Sequence, residues 1–344
     1  MAPALTARHI AGALHPPGGP YDTDVVILAL DRADDTEAAI ASALAQTGVV
    51  CHVFVLDQGS RPDALARIAR VVGGRTDATL VSLGTNRGVA GGRNIATGLG
   101  HGRVIFGLDN DAEFADGTTL ARAVAALDTE PDLAAVAVRI VSHATGQDDL
   151  SSWGYPLDLL PSAARTFETA TFVGAGHAIR RAAWEAAGGY DAALFFCWEE
   201  YDFCLRALHR GWRVRYHGGI VVRHKITAER RVEWSGDRWF YFVRNRLYIE
   251  RKWNAPWLAL MPRIGGYLVR GARNGNLGAT LRAIAAAIAL ARRVRCGSLS
   301  PAAQDYLRRN DRAQRGSLLR RCRREVLGPL AALRPGGSIR PEVS

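Results

Sequence analysis

The chain has 344 residues and 48% of them are hydrophobic, so it can form one large domain with an appendage, or two domains, around a proper core. Its net charge of +11 is uneven: residues 1–224 contain 19 Lys and Arg against 25 Asp and Glu, whereas residues 225–344 contain 25 against 8. No apolar run is long enough to span a bilayer, and the first twenty residues lack the pattern of a signal peptide.

The basic second part fits two interpretations equally well. It either contacts something anionic, such as a phospholipid surface or a lipid-linked phosphate, or it is a solvated arginine-rich surface. No nucleic-acid motif is present, so nucleic acid is not an expected partner. Five scattered cysteines without metal-ligand spacing predict free thiols and a cytoplasmic protein, with a peripheral position at the inner face of the cell membrane left open.

Strand-like and helix-like segments alternate in the first half of the chain. This βαβα order predicts an α/β fold with a mostly parallel sheet and helices on both faces, in which ligands bind beyond the carboxyl ends of the strands. The predicted elements are strand Val25–Leu30, helix Thr36–Gln46, strand Val50–Leu56, helix Pro62–Val72, strand Thr79–Leu83 and strand Arg103–Leu108.

The pattern loosens in the second half and becomes helical near the end. We predict residues 1–22 as a flexible lead, 23–252 as the main domain, 253–330 as a basic helical region and 331–344 as a disordered tail. The later elements are helix Thr118–Leu127, strand Leu133–Val141, loop Ser142–Pro156, strand Thr171–Ile179, helix Arg180–Gly188, a helix opening near Glu199–Tyr201, two short strands in RVRYHGGIVVRHK, and only helices from about Asp237.

The stretch FGLDNDAEF places Asp109 and Asp111 directly after a buried strand. Taken alone, such a triplet is most often a polar turn, because Asp and Asn bond nearby backbone groups. The alternative is a metal site, since two carboxylates at a strand end offer hard oxygen ligands to Mg²⁺ or Mn²⁺ bridging a diphosphate. The rest of the chain has to decide between these interpretations.

Five motifs in a fixed order favour the second interpretation. They are LDQGS, NRGVAGGRN, LDND, FVGAGHAIRRAAWEAAGGYD and CWEEYDFCLRALHRGWRVRYHGGIVVRH. In this order they resemble the family-two glycosyltransferases of GT-A type, most of all the rhamnosyl- and galactofuranosyl-transferase-like members, over about residues 24–252. The resemblance implies an inverting, metal-dependent transfer of a sugar from a UDP- or dTDP-linked donor to a hydroxyl of a glycan, a lipid-linked or a small-molecule acceptor.

The resemblance also implies metal ligands and a catalytic group. Asp109, Asp111 and His224 match the positions that bind Mg²⁺ or Mn²⁺. The predicted catalytic residues are Glu200, Glu199 and Asp202. Glu200 falls on the family's catalytic aspartate, and a base is needed because the acceptor hydroxyl loses a proton as it attacks. The alternatives are that these acids favour a helix N-terminus and that Asp202 pairs with Arg206 one turn later.

Donor and acceptor contacts are implied in the same way. Trp198 could stack on a sugar or belong to the core, and Asp57 could bind the nucleotide base or form an Asx turn. The glycines of NRGVAGGRN would let the backbone approach ribose and phosphates, with Arg87 or Arg93 available to the diphosphate. The predicted nucleotide-sugar residues are Asp31, Asp57, Asn86, Arg87, Gly88, Arg93, Asn94, Asp109 and Asn110, and the predicted acceptor residues are Gly176, His177 and Trp198.

Two alternative functions remain at this stage. A sugar-phosphate nucleotidyltransferase would share the sheet and the metal aspartates, but it needs a glycine-rich phosphate loop after the first strand, and ALDRADDTEA has no glycine. A non-catalytic sugar-nucleotide or partner-binding module is the other. The basic region adds the hypothesis that Trp257, Leu258, Leu260 and Tyr267, near Arg263 and Arg270, rest on an anionic membrane.

Overall fold

The computed structural model describes residues 7–225, 236–294 and 296–314. Ten strands lie in this part of the chain: β1 (Arg8–Gly12), β2 (Thr23–Ala29), β3 (Cys51–Asp57), β4 (Ala78–Ser82), β5 (Val104–Asp109), β6 (Ala112–Phe114), β7 (Leu133–Ser142), β8 (Thr166–Glu168), β9 (Gly176–Arg180) and β10 (Arg213–His224).

The helices surround this sheet and then continue beyond it. They are α1 (Ala33–Leu44), α2 (Pro62–Val72), α3 (Gly88–Thr97), α4 (Thr119–Thr129), α5 (Arg181–Ala187), α6 (Glu199–His209), α7 (Gly236–Lys252), α8 (Trp257–Arg273), α9 (Leu277–Ala291) and α10 (Pro301–Gln314), with short 3-10 helices at Leu157–Ser162 and Ala192–Leu194. Among the helices of the described residues, none has both the length and the apolarity that crossing a bilayer requires.

One mixed sheet organises the fold, in the order β1-β4-β3-β2-β5-β9-β7-β10-β6, with β8 against β10. Four adjacent strands, β4, β3, β2 and β5, are parallel to one another, so their carboxyl ends lie at one edge of the sheet. Val25, Val26 and Ile27 have no exposed area, as expected for a strand covered on both faces. The prediction of an α/β fold with helices on both faces of a largely parallel core is confirmed.

The C-terminal helices have an apolar core of their own. Trp239 and Leu247 of α7 pack with Tyr267 of α8 and with Ala283 of α9. Helix α7 also contacts the segment that precedes α6, through hydrogen bonds from its side chains to the carbonyls of Leu194–Cys197. Helices α8 and α9 therefore share a core with α7, and α7 in turn contacts the sheet domain.

Two expectations about the elements need correction, and a third concerns residues outside the described ranges. Residues 1–22 are not a flexible lead throughout, because Arg8–Gly12 pairs antiparallel with β4. The two short strands predicted before Lys225 are one strand, β10, whose register shifts between His217 and Val221. The predicted disordered tail lies outside the described residues. Four cysteines are free thiols, as predicted: Cys51, Cys197, Cys204 and Cys296.

Candidate active site

Asp109 lies where β5 ends, at the edge shared by the parallel strands. The register aligns Leu28 with Asp109 and Ala29 with Asp57, so the two acids lie one residue apart at the same edge of the sheet. The Asp109 side chain is 39% exposed, and one of its oxygens accepts a hydrogen bond from Arg93 Nη2 at 2.7 Å. This is the most accessible carboxylate of the motif.

Arg93 supports Asp109 from within the protein. Its side chain is 3% exposed, and Nη2 also donates to the carbonyl of Gly174 at 3.0 Å. A Cβ at Gly107 would lie 2.1 Å from Arg93 Nη1, so the glycine of FGLDND makes room for this guanidinium. Of the two arginines predicted to be available to the diphosphate, Arg93 is buried and bonds Asp109, whereas Arg87 is exposed.

Asp111 lies between two cationic partners. Arg32 Nη1 is 2.5 Å from one carboxylate oxygen, and His224 Nε2 is 3.3 Å from the other. Burial acts to raise the pKa of Asp111, but His224 and Arg32 outweigh it and lower the pKa to about 2. The residue is therefore ionised at neutral pH.

His224 is brought to Asp111 by strand pairing, because β6 pairs antiparallel with β10 and sets His224 opposite Ala112. On its other side, His224 Nδ1 is 3.0 Å from Asp149 Oδ2. Burial acts to lower the pKa of His224, and the hydrogen bonds to Asp111 and Asp149 outweigh it and raise the pKa to about 10. The imidazole is thus protonated and shared by two carboxylates.

This arrangement fits part of a divalent metal site. A metal-ligating histidine commonly donates its other ring N–H to a carboxylate, which is the relation of His224 to Asp149. The oxygens of Asp111 and Asp109 suit a hard cation. Over residues 7–225, 236–294 and 296–314, no three His, Cys, Asp or Glu side chains are already gathered as a metal cluster. The residues would therefore fit a divalent ion if His224 lost its proton and Asp109 joined Asp111 and His224 as a ligand.

Glu200 faces Asp109 across Gly174. The Cβ that Gly174 lacks would lie 2.6 Å from Glu200 Oε1 and 4.0 Å from Asp109 Oδ2, so the glycine leaves space between the two carboxylates. Burial raises the pKa of Glu200 to about 7; the charge of Asp109 adds to this, and Arg93 opposes it. Glu200 can therefore gain or lose a proton near neutral pH, as a general base requires.

Glu199 and Asp202 do not share this environment. Glu199 is 2% exposed, its Oε2 has no hydrogen-bond partner among the described residues, and burial together with Glu200 raises its pKa well above the ordinary value. Asp202 has no exposed area and pairs with Arg206 Nε at 2.8 Å and Lys252 Nζ at 2.9 Å. The pairing with Arg206 is the one expected from the helical spacing, and it makes Asp202 a structural residue.

Two of the three predicted acceptor residues, Gly176 and His177, lie in the interior, and their prediction needs correction. His177 is 1% exposed, stacks on Phe172 and lies 3.1 Å from the hydroxyl of Tyr190 through Nε2. Gly176 is buried, and a Cβ there would meet Val222 Cγ2 at 2.9 Å. Gly176 and His177 therefore contribute to packing in the protein interior.

Trp198 follows the core interpretation. Its Nε1 donates to the carbonyl of Phe242 at 3.0 Å, and the guanidinium of Arg246 lies 4.9 Å from the ring centroid. These contacts attach the half-buried residue to α7, which favours a packing role for the ring.

The glycine-rich loop also differs from the expectation. Gly88 has a φ of 72°, and a Cβ there would lie 2.2 Å from the carbonyl oxygen of Phe195, so the glycine permits contact with the protein's own backbone. Asn86 Oδ1 accepts from the N–H of Gly88 at 2.7 Å. Asn94 bonds both backbone groups of Tyr190 at 2.8 Å. Asn86 and Arg87 are exposed, which leaves them accessible to a ligand.

The remaining predicted donor residues have local partners. Asp57 is fully buried and accepts from Ser82 Oγ at 2.5 Å and from the N–H of Ser60 at 3.0 Å, which is the Asx-turn interpretation. Asp31 accepts from the N–H of Arg61 at 2.9 Å, and its side chain is 41% exposed. Asn110 donates to Thr36 Oγ1 at 3.1 Å.

Arg32, Asp149 and Gly174 belong to the site, although the sequence analysis did not select them. The sequence offered one signal, because Arg32 directly follows the polar end of the first strand in LDRADD. Asp149 lies in the stretch treated as a loop, and nothing in its neighbourhood along the chain points to His224.

The family model described as glycosyl transferase family 2 matches residues 24–187, and the model described as glycosyl transferase family group 2 matches residues 108–290, just over half of the chain. Two proteins of Rhizobium meliloti (strain 1021) are similar over short stretches. The succinoglycan biosynthesis protein ExoO is 40% identical over 90 residues, which are 26% of this chain and 25% of ExoO. ExoU is 37% identical over 99 residues, or 28% of each chain, so the match spans about a quarter of each relative's length.

Two solved structures share the fold. The mannosyltransferase PcManGT of Pyrobaculum calidifontis, in complex with GDP-Man and Mn²⁺, superposes with a TM-score of 0.52 at 18% identity over 92% of this chain and 88% of that one. GalNAc-T7 with UDP, GalNAc and Mn²⁺ gives a TM-score of 0.55 at 15% identity, over 73% of this chain and 52% of that one. At these identities the likeness concerns the fold alone.

Proposed function

The chain belongs to glycosyl transferase family 2, and from this premise we propose that it moves a sugar from a UDP- or dTDP-linked donor to an acceptor hydroxyl with Glu200 as the base. The family match favours glycosyl transfer over both alternatives, the nucleotidyltransferase and the binding module. The identity of the donor and the role of each residue are parts of the proposal.

The position of Glu200 is the observation that carries the proposal. Its carboxylate faces Asp109 across the space that Gly174 leaves open, at the edge where the parallel strands end. In the reaction, the acceptor oxygen forms a bond to the anomeric carbon, the bond from that carbon to the diphosphate breaks, and the hydroxyl proton passes to Glu200. One displacement of this kind inverts the anomeric configuration.

A divalent ion, Mg²⁺ or Mn²⁺, would be held by Asp109, Asp111 and His224. When bound, such an ion stabilises the negative charge that develops on a departing diphosphate. Asp149 would fix the orientation of His224, and Arg93 would fix that of Asp109. Two proteins of the same fold are known with a nucleotide or nucleotide sugar and Mn²⁺, which supports the proposal without identifying the metal.

The donor would lie over the exposed side chains at the same edge. Asp31, Asn86 and Arg87 retain the accessibility that a donor contact requires. Arg32 lies next to Asp111 and provides a further positive charge near the expected diphosphate. The proposed donor contacts do not include Asp57, Arg93 and Asn94, because each of these side chains is already hydrogen-bonded within the protein.

The acceptor would be a growing glycan or its lipid-linked form. The two similar proteins of Rhizobium meliloti are named for succinoglycan biosynthesis, and this supports a polysaccharide as the product class. The match covers only about a quarter of those proteins, so the pathway and the sugar sequence are part of the proposal.

Helices α8 and α9 would hold the enzyme near a lipid-linked acceptor. The stretch 255–294 contains no Asp or Glu, and Leu258, Met261 and Leu281 are 83%, 55% and 55% exposed beside its arginines. Exposed apolar side chains with basic neighbours bind anionic lipid surfaces. Leu260 and Tyr267 take no part, since they are buried in the helical core. Failure of the protein to sediment with phosphatidylglycerol vesicles at moderate salt would refute this part.

A donor panel tests the central proposal. Purified protein is melted with UDP-glucose, UDP-galactose and dTDP-rhamnose, each with Mn²⁺ or with EDTA, and nucleoside diphosphate release is measured for each donor. We expect one donor to stabilise the protein only with metal and to be slowly hydrolysed. If no nucleotide sugar stabilised the protein under any condition, the proposed function would be wrong.

A further inference from the structure

The segment that leads into the helix of Glu200 has an unusual backbone. Phe195, Cys197 and Trp198 have φ values of 61°, 69° and 73°, and none of them is glycine. Trp198 directly precedes α6, so its conformation fixes where the first turn of that helix begins. Non-glycine residues keep such angles only where the surroundings hold them. The position of Glu200 therefore depends on whatever holds this segment.

Asn245 of α7 holds three carbonyls of the segment. Its Nδ2 donates to the oxygens of Leu194, Phe196 and Cys197, each at 2.8 Å. The side chain has no exposed area, and its Oδ1 accepts from Arg244 Nε at 2.8 Å, which fixes the orientation of the amide. The remaining carbonyl, that of Phe195, accepts from the N–H of Val89 at 2.7 Å.

Asn245 itself brings no charge into the interior, and Arg244 Nη2 also donates to the carbonyl of Leu194 at 2.9 Å. An amide supplies two N–H donors from one point, so three converging carbonyls are bonded with one hydrogen shared between two of them, whereas a lysine or arginine in the same place would need a buried counter-ion. Helix α7 also contacts the end of the segment and the turn before it, because the carbonyl of Phe242 accepts from Trp198 Nε1 at 3.0 Å and Lys252 Nζ lies 2.8 Å from Asp191. Asn245 is the central contact of the three.

We infer that Asn245 is a positioning residue for Glu200: it fixes the Leu194–Trp198 segment so that Glu200 points at the space beside Asp109. The inference rests on the proposed role of Glu200 as base. It gives helix α7 a part in catalysis, since Asn245 of α7 determines the geometry of Glu200 on α6. A displacement of about 1 Å at a reacting group can cost about 100-fold in rate.

The test compares Asn245→Ala with Thr280→Val. Thr280 is an equally buried residue of the helical region, and its Oγ1 accepts from Trp239 Nε1 at 2.7 Å, so its loss removes a buried hydrogen bond away from the segment. Both variants are assayed for hydrolysis of the panel donor that stabilises the protein most, with Mn²⁺, and for the dissociation constant of that donor. Urea unfolding gives the stability of each.

For Asn245→Ala we expect kcat to fall by about 100-fold while the donor dissociation constant stays the same. Thr280→Val should lose stability and keep kcat. Should Asn245→Ala fail to fold, Asn245→Ser, which retains one hydroxyl donor, should fold and give a smaller fall in kcat.

Two results would overturn the inference: a folded Asn245 variant with wild-type kcat, or an equal fall of kcat in Thr280→Val. Glu200→Gln separates this failure from failure of the proposed function. If Glu200→Gln abolishes turnover but the Asn245 variants do not change it, only the positioning role is wrong; if Glu200→Gln turns over normally, the proposed base is wrong and the inference falls with it.

Discussion

Replacing Glu200 by Gln removes the ionisable group and keeps the shape of the side chain. In the folded protein the pKa of Glu200 is about 7, against an ordinary value of 4.5, because the carboxyl is partly buried and lies near Asp109. Folding therefore disfavours the ionised form, and the wild-type protein loses stability as the pH rises from about 4.5 through about 7. The corresponding free energy is about 3 kcal/mol at most, since one pKa unit is worth 1.36 kcal/mol.

Two measurements on Glu200→Gln follow from this. In urea unfolding in metal-free buffer, the variant should match the wild type near pH 4.5 and exceed it by up to about 3 kcal/mol at pH 8. In the donor assay, kcat of the wild type should rise with pH through about 7, and that of the variant should be lower by about 100- to 10,000-fold.

The donor dissociation constant provides the control, because Gln keeps the size of the side chain and removes no proposed donor contact. A variant that keeps kcat within tenfold, or a wild-type kcat that is flat from pH 5 to 9, would refute the assignment of the base. Equal stability of the two proteins at pH 8 would refute the account of its environment.

Further outcomes are expected at other positions. Asp149→Asn should weaken Mn²⁺ binding, measured by titration calorimetry, by about 10- to 100-fold, because His224 loses the carboxylate that orients it; unchanged affinity would contradict the metal assignment. Gly88→Ala should destabilise the protein by about 1–3 kcal/mol in urea through contact with Phe195, whereas Gly18→Ala, which has open space, should not. Asp202→Asn should lower the free energy of unfolding by about 3 kcal/mol, because the charges of Arg206 and Lys252 lose their buried partner. The folded fraction should retain turnover. A loss of kcat at unchanged stability would show that Asp202 is catalytic.

The sheet and its functional edge were predictable from local sequence. The apolar runs that become β2, β3 and β5 are continuous because both faces of these strands are covered, and each run ends in polar residues where the chain reaches the surface. The order of five motifs then selected the family, which the family models confirm. Asp109, Asp111 and Glu200 are the candidates that the motifs select, and their roles stay predictions.

Several side chains could not be assigned from sequence because one residue type serves both packing and binding. Arg93, Asn94 and His177 lie within motifs of the family resemblance, yet they bond Asp109, the backbone of Tyr190 and the hydroxyl of Tyr190. A pattern of letters gives the spacing along the chain, but it does not give the direction in which a side chain points.

Sequence alone determined the fold class, the strand ends and the choice of candidate acids, since these follow from hydrophobic runs and short motifs. The tertiary structure decided which groups meet those acids: Arg32 reaches Asp111 from 79 positions away, Asp149 reaches His224 from 75, and Asn245 reaches Cys197 from 48. The physical reason is that pKa values and orientations depend on short distances between charges and donors, and those distances arise only when the strands pair and α7 packs against the segment before α6.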